Sequence, residues 1–278
     1  MGEQGDVRGT VRHFVEHARA FAELDDVVWD PISMATVLRS APQFGELVLD
    51  ACCGDGASAV ATAELVGPSG AVDAIDLSES MIELARERAE RESAPLPQLR
   101  LHATDVLDWE PTGYDLVQCV LGVFFFTDPE AGAGRLVERL KPGGRLAVTL
   151  WAPGAFEDFT KALCDAVETE GGEAGAEAVA AYRDRALPTV PESPGALAQW
   201  LGALGLEQTR AELVPRHVDL DDELSWRLVV GMSRSRLVAD LDDEARERVA
   251  TRFRKFLAER GITRADLSTI IGVGHLPG

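Results

Sequence analysis

Residues 47–59 read Leu-Val-Leu-Asp-Ala-Cys-Cys-Gly-Asp-Gly-Ala-Ser-Ala, and this stretch decides the fold. The apolar run Leu47–Asp50 predicts a strand, Gly54 and Gly56 predict a tight turn, and Ala57–Val66 predicts an Ala-rich helix. A strand, a glycine turn and a helix in this order are typical of a nucleotide-binding βα unit. The stretch therefore predicts a nucleotide site at the carboxyl end of a buried strand.

The carboxylates around this turn limit which nucleotide fits. The turn satisfies the loose dinucleotide pattern, and Asp76 lies about 20 residues downstream, where a ribose-binding acid is expected. A pyrophosphate, however, would lie against Asp50 and Asp55, and anions repel each other. A ligand with ribose and adenine, no phosphate and a positive centre fits better. S-adenosylmethionine (SAM), with its sulfonium and α-amino group, is such a ligand.

Strand and helix patterns alternate along the middle of the chain. The further predicted strands are Ala71–Asp76, Gln98–Ala103, Asp115–Leu121 and Arg145–Trp151, and the predicted helices between them are Glu79–Arg91 and Pro129–Leu140. Alternation of this kind favours a parallel sheet covered by helices on both faces. Ligands of such sheets bind beyond the carboxyl ends of the strands.

The flanking segments have a different pattern. Their predicted elements are one or two amphipathic helices over 8–40 broken at Asp30-Pro31, a helical stretch over 155–187, a helix Ser193–Leu204, a strand Glu207–Val218, charged helices over 222–260 and a last strand Leu267–Gly274. We therefore divide the chain into an N-terminal helical cap (1–40), a SAM-binding Rossmann-like core (41–152), the rest of the core with a helical insertion (153–218), and a helical lid with the final strand (219–278).

This order of motifs resembles the class I SAM-dependent methyltransferases, most strongly over residues 40–152. Within that family it is most similar to the ubiquinone/menaquinone and natural-product methyltransferases. The resemblance implies an α/β, Rossmann-like fold with a mostly parallel seven-stranded sheet, helices on both faces and a helical lid. The family's first motif is an acid followed by G-x-G-x-G, and here Cys52 replaces its first glycine. Because cysteine carries a Cβ, we expect an ordinary backbone conformation at Cys52.

The resemblance also implies a set of cofactor-binding residues. They are Asp50, Cys52, Gly54, Gly56, Asp76, Leu77, Met81, Asp105, Val106 and Val120. Asp76 corresponds to the ribose ligand, since a carboxylate can accept hydrogen bonds from both ribose hydroxyls. Asp105 corresponds to the acid that bonds the adenine amino group, although an Asp there can also simply cap a turn. Met81 corresponds to the residue that packs on adenine, but an apolar core role suits it equally.

Aromatic residues after two strands indicate where an acceptor would bind. Phe124 and Phe125 follow the fourth strand and Trp151 ends the fifth, while Trp29 is placed to close the N-terminal helix over the cofactor. Such walls suit a small planar or polyketide-like molecule, although each Phe can also be core. His217 is the candidate general base, with a solvated surface histidine as the alternative. His13 and His17 have a metal-compatible spacing but lack a third ligand, so no metal is expected.

Composition narrows the functional classes further. The 278 residues carry 47 acidic and 27 basic side chains, a net charge of −20, so a nucleic-acid partner and membrane-surface binding are not expected. No targeting or membrane-spanning stretch is recognised, so we expect a cytoplasmic protein. We expect it to be a monomer or a homodimer. The expected function is SAM-dependent methyl transfer to a small organic acceptor of secondary or quinone metabolism. The alternatives are an NAD(P)-binding oxidoreductase, or a SAM-binding cyclase or non-methylating module on the same fold.

Overall fold

A computed structural model describes residues 18–185 and 188–278, and a seven-stranded sheet forms its centre. The strands are β1 (Leu47–Ala51), β2 (Ala71–Asp76), β3 (Leu99–Ala103), β4 (Tyr114–Val120), β5 (Leu140–Trp151), β6 (Glu207–Val214), β7 (His217–Asp219), β8 (Arg264–Asp266) and β9 (Thr269–His275). The helices are α1 (Asp30–Ser40), α2 (Ala57–Val66), α3 (Glu79–Glu90), α4 (Pro129–Val137), α5 (Glu157–Glu170), α6 (Gly172–Asp184), α7 (Pro194–Ala203), α8 (Asp222–Val230) and α9 (Asp243–Glu259).

The sheet has the strand order β3-β2-β1-β4-β5-β9-β6. Strands β1 to β5 pair in parallel, whereas β9 lies antiparallel between β5 and β6. The chain reverses its direction of travel across the sheet between β1 and β4, so a crevice opens beyond the carboxyl ends of these two strands. The predicted mostly parallel, seven-stranded Rossmann-like fold is thus confirmed.

Alternate residues of the strands pack against helices on opposite faces. Val48 of β1 joins a cluster that includes residues of α2 and α3, while its neighbour Leu49 joins a cluster with residues of α4 and α7. This period of two is what a strand buried on both faces requires. The central strands are therefore covered on both faces, which leaves the carboxyl edge of the sheet for a ligand.

A third apolar cluster joins the N-terminal cap to helices that follow β5. The N-terminal cap, here residues 18–40, contributes Leu24, Val28 and Ile32. The predicted lid helices α8 and α9 pack together with α5 and α6 of the predicted insertion, and these four helices, with the turn between α8 and α9, are called the lid from here on. The lid contributes Phe159, Val179, Leu228 and Phe253 among others. Cap and lid therefore pack on each other through one shared core.

Two local predictions are wrong. The strand predicted over Glu207–Val218 is two strands: β6 ends at Val214, and β7 pairs with β8 in a separate two-stranded sheet. Pro215 lies between them and has no N–H for a ladder bond, which explains the interruption. Asp30-Pro31 does not break a helix but begins α1, directly after a π-helical turn at Asp25–Trp29. Proline is tolerated there because first-turn N–H groups lack helical partners.

Among the described residues, no helix is both long enough and apolar enough to cross a membrane. The same residues contain no group of three or more His, Cys, Asp or Glu side chains arranged to hold a metal ion. His13 and His17 lie outside the described residues.

Candidate cofactor and acceptor site

The turn between β1 and α2 has an unusual backbone. Gly54 and Gly56 have φ of +55° and +85°, and Cys52 has φ of +57°. The expectation of an ordinary conformation at Cys52 is therefore wrong: the residue has the left-handed backbone that favours glycine. Burial of the neighbouring Cys53 and its N–H bond to the carbonyl of Ile75 (2.9 Å) hold the turn in this shape.

Gly56 is needed for a second reason, a close approach between two helices. A Cβ on Gly56 would lie only 2.9 Å from Cβ of Ala85 in α3. The glycine therefore lets the N-terminus of α2 pack against α3 while the turn keeps its left-handed conformation.

Asp76, at the end of β2, is bonded directly to the glycine turn. The Gly54 N–H donates to its Oδ2 and the Ser78 N–H to its Oδ1, both at 2.9 Å. Burial raises the pKa of Asp76, and the two amide bonds oppose that shift. The side chain is only half-buried, so the remaining lone pairs of both oxygens can accept from ligand hydroxyls. Leu77 beside it is exposed, as an apolar residue facing a bound ring would be.

Asp50, at the end of β1, is fully buried and holds an unused acceptor. Its Oδ2 accepts from the Ser58 hydroxyl (2.7 Å) and from Nε2 of Gln118 (2.9 Å). Its Oδ1 has no hydrogen-bond partner among the described residues. Burial raises the pKa of Asp50 to about 6, so the carboxylate is still mostly ionised at neutral pH. An orphaned buried acceptor fits a ligand that brings a cationic donor.

The predicted adenine end is less open. Asp105 caps the short 3-10 helix Val106–Asp108, with its Oδ1 accepting from the Leu107 N–H at 2.9 Å. Val106 and Met81 are both buried in the core. The turn-capping alternative thus describes what Asp105 does in this structure, and its second oxygen remains for a ligand. The adenine contacts of Asp105, Val106 and Met81 stay predictions.

The N-terminal cap lies next to the glycine turn through a pair of aromatic rings. Phe21 and Trp29 stack with centroids 4.1 Å apart, and the Trp29 indole N–H donates to the carbonyl of Phe21 at 2.8 Å. A Cβ on Gly54 would lie 3.9 Å from the Phe21 ring. The aromatic pair therefore borders the predicted cofactor site.

Arg88 links the cap to the glycine turn, and no sequence motif points to it. Its guanidinium bonds Asp55 Oδ2 (2.8 Å), Asp25 Oδ2 (2.7 Å) and Asp30 Oδ1 (2.6 Å), and its Nε–H donates to the carbonyl of Asp55 (3.0 Å). Burial and the neighbouring Asp55 raise the pKa of Asp25 to about 8. Three carboxylates thus share one cation at the junction of cap and turn.

The residues of the predicted acceptor wall make aromatic contacts at the ends of β4 and β5. Phe124 and Phe125 are half-buried, with ring centroids 4.7 Å apart. Trp151 packs edge-on against Phe156 at 5.4 Å. Four of the predicted residues are half-buried side chains that border the shared apolar cluster of cap and lid: Trp29, Val120, Phe124 and Trp151.

His217 has a different setting. It is exposed on β7, with Nε2 3.9 Å from Oδ2 of Asp266, and it lines a groove with Phe156, Arg260 and others. None of these neighbours belongs to the predicted cofactor-binding set. The role of His217 as a general base stays a prediction.

The glycine turn and the acids at the strand ends lie in one segment of the chain, between β1 and β4. Residues 48–144 match the family model described as a methyltransferase domain. The match runs from β1 into β5 and covers about a third of the chain.

Individual relatives are similar over part of their length. Aklanonic acid methyltransferase DauC of Streptomyces sp. (strain C5) is 32% identical over 136 residues, which are 49% of this chain and 62% of that protein. Nocamycin O-methyltransferase of Saccharothrix syringae is 31% identical over 190 residues, 65% of this chain and 64% of that one. The chain thus spans less than two thirds of the length of either relative.

Solved structures support the fold alone. Phosphoethanolamine N-methyltransferase 2 of Haemonchus contortus, in complex with phosphomonomethylethanolamine and S-adenosylhomocysteine, aligns with a TM-score of 0.57 at 18% identity. The alignment covers all of this chain and 61% of that chain.

Proposed function

We propose that this protein is a SAM-dependent methyltransferase that acts on a small organic acceptor. The observation that carries the proposal is the pair of strand-end carboxylates around the glycine turn: Asp76 with free lone pairs, and Asp50 with an orphaned oxygen. A cationic, phosphate-free nucleoside matches both. The names of the curated relatives, which are small-molecule methyltransferases, support the same class.

Each cofactor-binding residue has a distinct task in this proposal. Asp76 binds the ribose hydroxyls, and the turn at Cys52, Gly54 and Gly56 lets the ligand approach the backbone. Asp50 stabilises the positively charged methionine portion across the buried end of β1. Leu77, Met81, Asp105 and Val106 form the adenine pocket, and Val120 borders the transferred group.

The reaction is an in-line displacement. When bound, SAM supplies an electrophilic methyl group on sulfur, and the acceptor supplies the attacking electron pair. The remaining contribution of the protein is to hold the acceptor close and aligned, which accounts for about 7–11 kcal/mol in favourable cases. Trp29, Phe124, Phe125 and Trp151 would hold a planar acceptor and exclude water from it. His217 would accept a proton only if the acceptor must lose one.

Equilibrium binding of S-adenosylhomocysteine to Asp76→Ala tests the site. Charged hydrogen bonds contribute about 1.5–3 kcal/mol each, so we expect the dissociation constant, measured by calorimetry, to rise at least tenfold. Glu79→Gln, an exposed change three residues away, is the matched control and should bind as the wild type does. Unchanged affinity in Asp76→Ala would contradict the assignment.

The alternatives give different results in the same assay. Tight binding of NADH and none of S-adenosylhomocysteine would indicate an oxidoreductase. Tight binding of S-adenosylhomocysteine without a SAM-dependent mass gain of one methyl group on any acceptor would indicate a cyclase or a binding module.

A further inference from the structure

Arg234 is a buried cation within the lid. It lies in the 3-10 turn Ser233–Leu237 and is only 9% exposed. Its Nε–H donates to the Thr160 hydroxyl at 2.8 Å, and its Nη1 lies 3.8 Å from Sδ of Met232. Its guanidinium carbon lies 3.9 Å from the centre of the Phe156 ring. Thr160 and Phe156 therefore hold the guanidinium in one orientation.

This guanidinium has no acidic partner in the part of the chain that the structure describes. Two other shielded arginines are neutralised: Arg88 by three aspartates, and Arg145 by Glu46 at 2.7 Å. The contrast is informative because the chain has 47 acidic residues to draw on. Burial lowers the pKa of Arg234 to about 10, so it remains charged at neutral pH.

The hydrogen-bonding capacity of Arg234 is also incompletely used. A guanidinium has five N–H donors, and the hydroxyl of Thr160 and the sulfur of Met232 engage two of them. A buried charge without a counter-ion destabilises a protein, and the ring of Phe156 compensates only in part. The unused donors lie in one plane and match the two oxygens of a carboxylate.

The ring of Phe156 connects Arg234 to Trp151 of the acceptor wall. Its guanidinium covers Phe156, and Phe156 packs edge-on against Trp151 at the carboxyl end of β5. That end of the sheet also carries Val120, one strand away, beside which the transferred methyl group would lie. The Arg234 guanidinium, the Phe156 ring and the Trp151 ring thus form one series of contacts that ends at the acceptor wall.

We propose that Arg234 binds the carboxylate of the methyl acceptor, so that this enzyme selects planar organic acids over their neutral analogues. The inference rests on the proposed function, because it assigns the acceptor of that same site. The net charge of −20 repels anions at long range, so binding an acid requires a local cation such as Arg234.

Binding of two matched probes tests this directly. Anthraquinone-2-carboxylate and anthraquinone-2-carboxamide are titrated by calorimetry into the full chain saturated with S-adenosylhomocysteine. We expect the wild type to bind the carboxylate at least tenfold more tightly than the carboxamide, as a charge-assisted bidentate pair predicts. In Arg234→Met this preference is lost, while the affinities for the carboxamide and for S-adenosylhomocysteine stay unchanged.

Two further variants complete the design. Arg248→Met removes an exposed positive charge from α9 and should keep the full preference for the carboxylate. Arg234→Lys keeps the charge but not the planar fork, so an intermediate preference is expected; it also serves if Arg234→Met does not fold.

Several outcomes overturn the proposal. The proposal is wrong if the wild type binds both probes equally, or if it binds neither probe while it binds S-adenosylhomocysteine. It is also wrong if Arg234→Met retains the preference for the carboxylate. Arg234 would then be a structural clamp between α5 and the turn that follows α8. If the wild type does not bind S-adenosylhomocysteine at all, the proposed function is wrong. Comparing the two probes in the ligand-free protein would then still test the role of Arg234.

Discussion

At the scale of single residues, the site depends on side chains that hold unfavourable positions. Cys52 has a left-handed backbone that costs a residue with a Cβ about 1–2 kcal/mol. Asp50 and Arg234 are ionisable groups buried with unused hydrogen-bonding capacity. Such departures from local preference concentrate at functional sites, where a ligand can compensate for them.

Two substitutions of Cys52 separate backbone strain from side-chain packing. Glycine adopts φ of +57° without penalty, so the relieved strain in Cys52→Gly should offset the lost packing. We expect its free energy of unfolding to lie within about 1 kcal/mol of the wild-type value. Valine is branched at Cβ, and Cys52→Val should lose more than about 2 kcal/mol. Urea unfolding measures both. Equal stability of the two variants would show that the left-handed turn is not a constraint.

At the scale of elements, Arg88 makes the cap and the glycine turn one electrostatic unit. Asp25, Asp30 and Asp55 surround it, so the junction carries more negative than positive charge when all three are ionised. One proton on Asp25 relieves the excess. The attachment of the cap should therefore depend on pH.

The sign of this dependence follows from the raised pKa of Asp25. Between its unfolded pKa near 4 and its folded pKa of about 8, the folded state binds more protons, so its stability falls as the pH rises. Asp25→Asn mimics the protonated form. We expect its thermal midpoint to exceed that of the wild type by a margin that widens between pH 5 and pH 8.5.

The neighbouring acid supplies the control for this experiment. Asp26 is exposed, so Asp26→Asn changes the same charge without touching Arg88 and should follow the wild type at both pH values. A wild-type and an Asp25→Asn curve that run parallel from pH 5 to 8.5 would show that Asp25 does not hold this proton in the folded state.

The elements differ in how far the sequence predicts them. Strands β1, β2 and β4 were recognised because hydrophobic runs and glycine turns are local signals. The break at Pro215 needed knowledge of which strand would pair beyond it, and the π-helical turn before Pro31 has no sequence signature. Arg88 and Arg234 were missed because their partners lie far away in the sequence, at Asp25 and at Phe156.

At the scale of the whole molecule, net charge opposes compactness. With 47 acidic and 27 basic residues, the folded chain repels itself, and salt screens repulsion between exposed charges. We expect the thermal midpoint to rise between 20 and 300 mM NaCl at pH 7.5. A midpoint that falls with salt would show that ion pairs such as Arg145–Glu46 dominate over the general repulsion.

The position of β9 has a consequence for how the protein is made. Strand β9 includes residues up to His275, yet it fills the gap between β5 and β6. On the ribosome, β6 emerges about sixty residues before β9, its only neighbour among the described strands, and β5 emerges earlier than β6. Nascent chains must therefore keep two unpaired strand edges soluble until translation has passed residue 275, and pausing before that point would favour aggregation.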